Sequence, residues 1–199
     1  MSEAKVDIRE ALRYLRADPE NPETRRMAEE MATLLEKSAP PRYVFREVTV
    51  ERGKTEEGLL LPEAGLRLEG KLAERRLRGC GKAILMACTL GAAYERLERT
   101  WRVRDLARAA VLDACGSALT EAGCEAAEAE IRKRYPGKIL TERFSPGYGD
   151  LPLALQVGLL RALNAEKRLG ITLTESLLMV PSKSVTAIIG LAEAPLPPK

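Results

Sequence analysis

Residues 92–135 read AAYERLERTWRVRDLARAAVLDACGSALTEAGCEAAEAEIRKRY, a stretch rich in alanine, leucine, glutamate and arginine and without proline. This composition predicts a helical middle for the chain. A stripe of small and apolar residues follows helical spacing within it. Its members are Leu106, Ala110, Ala114, Ala118 and Ala122, joined by Cys115, Leu119 and Cys124. Small side chains let another element's backbone approach closely, and we therefore expect this helix in the centre of the fold.

Upstream of this stretch the chain begins helical and then becomes extended. Helices are predicted from Asp7 to Leu15 and from Asn21, which precedes Pro22 and is a suitable N-cap. Extended segments are predicted at 43–50, 59–61, 66–68 and 83–90, with a short helix at 71–77. The run at 83–90 is apolar throughout, which indicates a buried strand.

Downstream, a short extended segment at 139–140 leads into a loop at 143–150 and a helix at 152–163. Two β-rich runs, 173–180 and 184–191, are predicted to form a hairpin across 181–183. We divide the chain into an N-terminal helical lead-in (1–40), an α+β domain (41–191) and a frayed, proline-rich tail (192–199).

Composition excludes several classes of protein. The 199 residues carry 32 Lys plus Arg against 29 Asp plus Glu, a net charge of +3, with both signs interspersed. With only 4% aromatic residues, a nucleic-acid-binding surface is disfavoured. There is no apolar run long enough to span a membrane, and the charged start of the chain lacks a secretion signal, which predicts a cytoplasmic protein.

The sequence contains no histidine, the usual general base and metal ligand. Any reactive centre is therefore expected to belong to a bound cofactor or a partner protein. The pair Gly81-Lys82 lacks the other residues of a phosphate-binding loop. The four cysteines form no C-x-x-C pair and are expected to be reduced core residues.

The segment RFSPGYGD at 143–150 combines features of a ligand-binding loop. Its glycines and proline impose sharp turns whose amides can face a ligand. Arg143 offers a planar donor pair for a carboxylate, and Tyr148 offers a ring face and a hydroxyl. The alternative is a turn that only connects two elements. Glu121, on the predicted central helix, is either a solvated neighbour of the small-residue stripe or an acceptor for an ammonium or ribose hydroxyl group.

Several ordered motifs carry a family resemblance. They are RFSPGYGDLP (143–152), LGITLTES (169–176), MVPSKSV (179–185), GCGKAIL (79–85) and LTEA (119–122). Together they resemble the activation, or reactivation, domain of cobalamin-dependent methionine synthase, most closely its stand-alone, single-domain members. The resemblance covers roughly residues 44–190.

The resemblance implies an α+β fold with a twisted antiparallel sheet, surrounding helices and a long central helix. It implies S-adenosylmethionine as the bound cofactor, with Arg143 at its carboxylate. The loop residues Ser145, Pro146, Gly147 and Tyr148 would cradle the rest. Glu121 falls on the family's helical glutamate, which suits the ammonium side of the ligand.

The family takes part in methionine biosynthesis: it supports reductive methylation of inactive cob(II)alamin, with an electron from a flavodoxin-like or ferredoxin donor. We expect no cobalamin-binding domain in this chain, so the cobalamin would be carried by a separate methionine synthase or other corrinoid protein. A methyltransferase component acting in trans is one expectation. The alternative is a non-catalytic module that docks on a corrinoid protein and controls its cobalamin conformation.

Overall fold

The computed structural model describes residues 4–52 and 58–193. Its helices are α1 (Ile8–Leu15), α2 (Pro22–Ser38), α3 (Lys71–Arg76), α4 (Gly91–Arg104), α5 (Leu106–Arg134), α6 (Leu155–Leu163) and α7 (Ala165–Leu169), with a 3-10 helix at Pro62–Ala64. Its strands are β1 (Arg42–Thr49), β2 (Glu51–Arg52), β3 (Leu59–Leu61), β4 (Leu66–Leu68), β5 (Cys80–Thr89), β6 (Ile139–Leu140), β7 (Thr172–Leu173), β8 (Met179–Val180) and β9 (Ser184–Ala192). The predicted α+β class is confirmed.

The main sheet is antiparallel and has the strand order β1-β5-β9-β6. Two small antiparallel sheets, β2-β3-β4 and β7-β8, accompany it. The buried strand predicted at 83–90 is the core of β5, whose residues 83–89 are all buried. A strand that is apolar on both faces needs cover on both, and helices pack on each side of the sheet here.

The hairpin predicted across residues 181–183 is wrong. β8 pairs with β7, across a turn in which Thr174 donates to the Leu178 carbonyl at 2.9 Å. β9 pairs instead with β5 and β6. The physical reason is burial: eight of the nine residues of β9 are buried, so this strand belongs inside the sheet, between two partners. The predicted frayed tail begins with Ala192, the last residue of β9; residues 194–199 lie outside the described residues.

The helical middle of the chain consists of two helices that meet at Asp105. This residue has an extended backbone, with φ of −159°, and its carboxylate accepts a hydrogen bond from the Arg108 N–H at 3.0 Å. It is therefore the N-cap of α5, a position that aspartate favours. The predicted long central helix is confirmed as the 29 residues of α5.

The small-residue stripe is buried only along its C-terminal part. Ala114, Ala118 and Leu119 are buried, whereas Leu106 is 73% exposed and Ala110 is also exposed. Leu106 and Ala110 lie on the outer side of α5, because the first turns of this helix bury Ala109, Val111 and Leu112 instead.

α5 packs closely against the sheet and the residue before β1 at Gly123. A Cβ atom at this position would lie 2.6 Å from Pro41 Cβ and 2.8 Å from Cys88 Sγ, closer than non-bonded atoms tolerate. The four cysteines are free and buried, as predicted.

The two N-terminal helices pack against α5, and their apolar residues share one core cluster with it, including Leu12, Leu35 and Leu112. The predicted cap of α2 is confirmed: the Asn21 side chain accepts hydrogen bonds from the N–H groups of Glu23 and Thr24. α5 itself covers one face of the main sheet, in a cluster that includes Ile84, Cys124 and Ile131.

The opposite face of the main sheet is covered by α6, α7 and the β2-β3-β4 sheet, in a cluster that includes Leu85, Leu159 and Ile188. The sheet therefore lies between two apolar layers.

Candidate functional site

The Arg143 loop, residues 143–150, begins at the edge of the main sheet, where backbone pairing with β9 ends. Phe144 and Ile188 exchange two backbone hydrogen bonds, of 3.0 and 2.8 Å, next to β9. Pro146 follows two residues later and has no N–H to continue this pairing. The chain then turns away, with φ of +86° at Gly147 and +61° at Gly149. Positive φ suits glycine, which explains why both positions lack a side chain.

The loop uses some of its amides internally. Gly147 donates to the Leu151 carbonyl at 2.8 Å, and Tyr148 donates to the Ser145 carbonyl at 3.2 Å. These two N–H groups therefore do not face a ligand. The Tyr148 side chain is 67% exposed, and its ring is available at the surface of the loop.

The Arg143 guanidinium lies between two glutamates of α5. One of its terminal nitrogens donates to Glu121 and the other to Glu128. Glu128 also pairs with Arg132, at 3.2 Å. The side chain of Glu121 is 42% exposed and that of Arg143 is 26% exposed, so the Arg143–Glu121 pair is open to solvent on one side.

The electrostatics of this cluster keep the guanidinium charged. Burial alone would lower the pKa of Arg143, but hydrogen bonding and charge attraction from Glu128 and Glu121 outweigh it and raise the pKa. The neighbouring Cys124 thiol has its pKa held well above the usual range by its hydrogen bond with Cys88 and by burial. Cys124 is consequently a neutral thiol beside the ion pairs.

The far end of the Arg143 loop is attached to another element. The Asp150 carboxylate accepts hydrogen bonds from the N–H groups of Lys71 and Leu72, at 2.6 and 3.0 Å, and so caps α3. These bonds lower the pKa of Asp150. The preceding Gly70 has φ of +103°, and a Cβ atom there would lie 2.8 Å from the Asp150 carboxylate carbon.

The predicted site residues are thus partly assembled. Arg143 and Glu121 are in contact, although they were predicted to serve opposite ends of one ligand. Ser145 and Pro146 are largely covered, whereas Gly147 and Tyr148 are exposed on the same loop. Sequence reasoning missed Glu128. The signal was present, because Glu128 lies two helical turns after Glu121 and therefore on the same face of α5.

Two negative findings hold for the part of the chain that the structure describes. It contains no group of three or more side chains of the metal-binding types that could hold a metal ion. It also contains no helix with the length and apolar character that crossing a membrane requires.

Comparisons with known proteins agree with this architecture. The model of the family described as "vitamin B12 dependent methionine synthase, activation domain" matches residues 80–194. Among solved structures, the fold resembles the MetH reactivation domain bound to AdoHcy, with a TM-score of 0.64 and 20% sequence identity. That similarity covers 94% of this chain and 70% of the other. No curated protein matches the sequence.

The fold and the charged loop define an α+β domain of the methionine synthase reactivation type, with a long helix crossing an antiparallel sheet. The family match covers more than half of the chain and includes the whole Arg143 loop. The chain belongs to the activation-domain family of vitamin B12 dependent methionine synthase.

Proposed function

We propose that this protein binds S-adenosylmethionine at the Arg143 loop and supports reductive methylation of cobalamin on a separate corrinoid protein. The observation that carries the proposal is the set of opposite charges formed by Arg143 and the α5 glutamates, of which Glu121 is the most exposed. The solved reactivation domain with this fold is bound to AdoHcy, the demethylated form of the same ligand, which supports the choice of ligand.

The charged cluster matches the amino-acid end of S-adenosylmethionine. That end carries one carboxylate and one ammonium group, and Arg143 with Glu121 offers the complementary pair. The ligand carboxylate would replace Glu121 on the guanidinium, and the released Glu121 would accept the ammonium. Each charged group exchanges one partner for another, so no unpaired charge is left behind. Tyr148, exposed on the same loop, offers a ring face to the adenine.

Bound S-adenosylmethionine supplies the methyl group, and the acceptor is cobalamin carried by a methionine synthase or related corrinoid protein. A flavodoxin-like or ferredoxin donor would supply the electron. The residues of this chain bind and orient the methyl donor; with no histidine in the sequence, it offers no imidazole as a cobalt ligand. The protein acts in trans as one component of a methyltransferase system.

Calorimetric titration with S-adenosylmethionine tests the binding step. We expect saturable binding that Arg143→Ala weakens by about 1–3 kcal/mol, the cost of leaving a hydrogen-bonding group without its partner. Arg99→Ala, at an exposed position of α4, is the matched control and should leave the affinity unchanged. Absence of binding to the unmodified protein, with and without a corrinoid partner, would refute the proposal.

A second experiment tests the reaction. The protein is mixed with a cob(II)alamin-loaded corrinoid protein, a reductant and S-adenosylmethionine, and formation of methylcobalamin is followed by its absorption spectrum. We expect methylation that depends on this chain and is reduced by Arg143→Ala.

A second function is favoured by one observation: Arg143 is already paired with two carboxylates. If that arrangement persists, the protein is an interaction module that docks on a corrinoid protein and controls its cobalamin conformation without binding the methyl donor. Capture of a cobalamin protein together with no methylation in the spectral assay would favour this function over the first.

A further inference from the structure

Strand β1 forms one edge of the main sheet and pairs only with β5 among the described residues. Along an antiparallel strand, the N–H and C=O groups of successive residues point alternately toward the strand on one side and the strand on the other. Val50, just after β1, donates to the Gly81 carbonyl at 3.0 Å, which places even-numbered residues toward β5. The odd-numbered Tyr43, Phe45 and Glu47 therefore direct their N–H and C=O groups outward.

Among the described residues, Glu63 covers the C-terminal end of this edge. The N–H of Thr49 points outward and donates to the Glu63 carboxylate at 3.0 Å, while the Thr49 hydroxyl pairs with the same group at 2.6 Å. Among residues 4–52 and 58–193, none pairs with the outward backbone groups of Tyr43, Phe45 and Glu47. An extended chain could form hydrogen bonds along this part of β1.

A groove runs beside the open part of β1, and we call it the edge groove. Its cavity, which residues 41–45 line, has a volume of about 480 Å³. Glu130 and Arg134 of α5 line one side of it, and Arg168 of α7 lines the other. The groove is therefore bounded by helices from both faces of the sheet.

The edge groove has an excess of positive charge. Three guanidiniums line it, those of Arg42, Arg134 and Arg168, and no described carboxylate forms an ion pair with any of them. Arg42 donates to the Leu169 carbonyl at 2.9 Å, and Arg134 lies over the Phe45 ring at 5.3 Å.

The one acidic residue of the groove has a partner of its own. The Glu130 carboxylate accepts a hydrogen bond from the Tyr43 hydroxyl at 2.8 Å, and this bond, after burial, contributes to raising the pKa of Tyr43 to about 12. The hydroxyl therefore stays neutral at physiological pH. Three positive charges face one negative charge, so the groove is electrostatically complementary to an anionic segment.

We propose that the edge groove binds an extended, acidic segment of a partner protein as an additional strand beside β1. The segment's main chain would bond to the outward groups of Tyr43, Phe45 and Glu47. Successive side chains of a strand point to opposite faces, so two consecutive acidic residues would direct one carboxylate toward Arg134 and the other toward Arg168. This surface is separate from the S-adenosylmethionine site proposed at the Arg143 loop.

Charge also argues against a second copy of this chain as the occupant. Self-pairing of β1 would bring the partner copy's equivalents of Arg42 and Arg46 to the face that already presents Arg42 and Arg168. Like charges at close range in a sheet are destabilising. An acidic segment relieves the excess charge, whereas a second β1 increases it.

The test uses the full-length protein and three synthetic peptides, followed by NMR titration. The first is the acetylated peptide VTDEVT, the second is the same peptide with Lys in place of Asp and Glu, and the third is the acidic peptide with alternate backbone amides N-methylated. We expect saturable binding of the first only, with slowed hydrogen exchange at the amides of Tyr43, Phe45 and Glu47.

Variants separate charge from backbone pairing. Arg168→Glu should weaken binding of the acidic peptide at least tenfold, whereas Arg99→Glu, on the exposed surface of α4, should not change it. The proposal is overturned if the lysine or N-methylated peptide binds equally well, if Arg168→Glu has no effect, or if no peptide binds. A concentration-dependent dimer that protects the same three amides would also overturn it.

Discussion

Arg143 and Glu121, 22 residues apart in the sequence, form an ion pair that joins the Arg143 loop to α5. A second ion pair, between Arg143 and Glu128, lies deeper: the Glu128 side chain is 16% exposed against 42% for Glu121. The more exposed glutamate is the one that a ligand can displace first. The two pairs are therefore expected to respond differently to substitution.

We predict opposite effects of neutralising the two glutamates on S-adenosylmethionine binding. Glu121→Gln removes the proposed acceptor of the ammonium group and should weaken binding by about tenfold or more, equivalent to about 1.4 kcal/mol. Glu128→Gln removes a competitor for the guanidinium, and binding should be at least as tight as in the unmodified protein. Calorimetry measures both, and equal losses in the two variants would contradict the exchange of partners.

The cap that Asp150 provides to α3 predicts a dependence of stability on pH. The pKa of Asp150 is lowered in the folded protein. The ionised carboxylate therefore stabilises the fold above its ordinary pKa, and this stabilisation is lost as the pH falls through the pKa that Asp150 has in the folded protein. Asp150→Ala should lower the free energy of unfolding at pH 7, and its effect should diminish as the pH falls below 3.8, the ordinary value for aspartate.

Denaturant titrations at several pH values measure this difference. Glu125→Ala, at an exposed position of α5, is the control and should show no comparable dependence on pH. A constant difference between Asp150→Ala and the unmodified protein at every pH would mean that the ionised cap is not the cause.

The close approach of α5 to the sheet predicts that Gly123 tolerates no side chain. Gly123→Ala would press a methyl group against Pro41 and Cys88, at 2.6 and 2.8 Å, and overpacking of this kind costs about 1–3 kcal/mol. Gly81→Ala is the matched control, because nothing lies within 4 Å of the added Cβ there. Urea unfolding compares the two, and a similar stability for both would contradict the packing described for α5.

The buried Cys115 thiol predicts that the free energy of unfolding falls at alkaline pH. Burial raises the pKa of Cys115 to about 12, whereas the thiol of an unfolded chain titrates near pH 9. The protonated thiol's contribution to the free energy of unfolding is complete below about pH 9 and is lost as the pH rises toward 12. Cys115→Ala should therefore make the decline in the free energy of unfolding between pH 9 and 11 shallower by about 1 kcal/mol per pH unit. An unchanged slope would assign the decline to other groups.

The elements of the fold were largely predictable because local chemistry decides them. Asn21 with Pro22 marked the start of α2, and the apolar run at 83–90 marked β5. The break at Asp105 was missed, although aspartate is a common N-cap and the residue could have been recognised as one. Strand pairing was less predictable. β9 pairs with β5 and β6, which are distant in the sequence, and a turn motif at 181–183 carries no information about distant partners.

The candidate site was predictable in its residues but not in their pairing. The family motif picked out Arg143 and Glu121, and both are in the charged cluster. The resemblance assigned each of them to a ligand and not to the other, because the distance between a loop and a helix face cannot be read from spacing along the chain. That Arg143 would be neutralised by Glu121 and Glu128 follows from tertiary packing alone.

The Arg143 loop is fastened at both ends, to α5 through Arg143 and to the N-terminus of α3 through Asp150. Exchange of Glu121 for another carboxylate would leave Glu128 on the guanidinium and the Asp150 cap on α3, so neither attachment is lost. Entry of a methyl donor would then rearrange a few side chains on a backbone that is already in place, and little ordering entropy would oppose it.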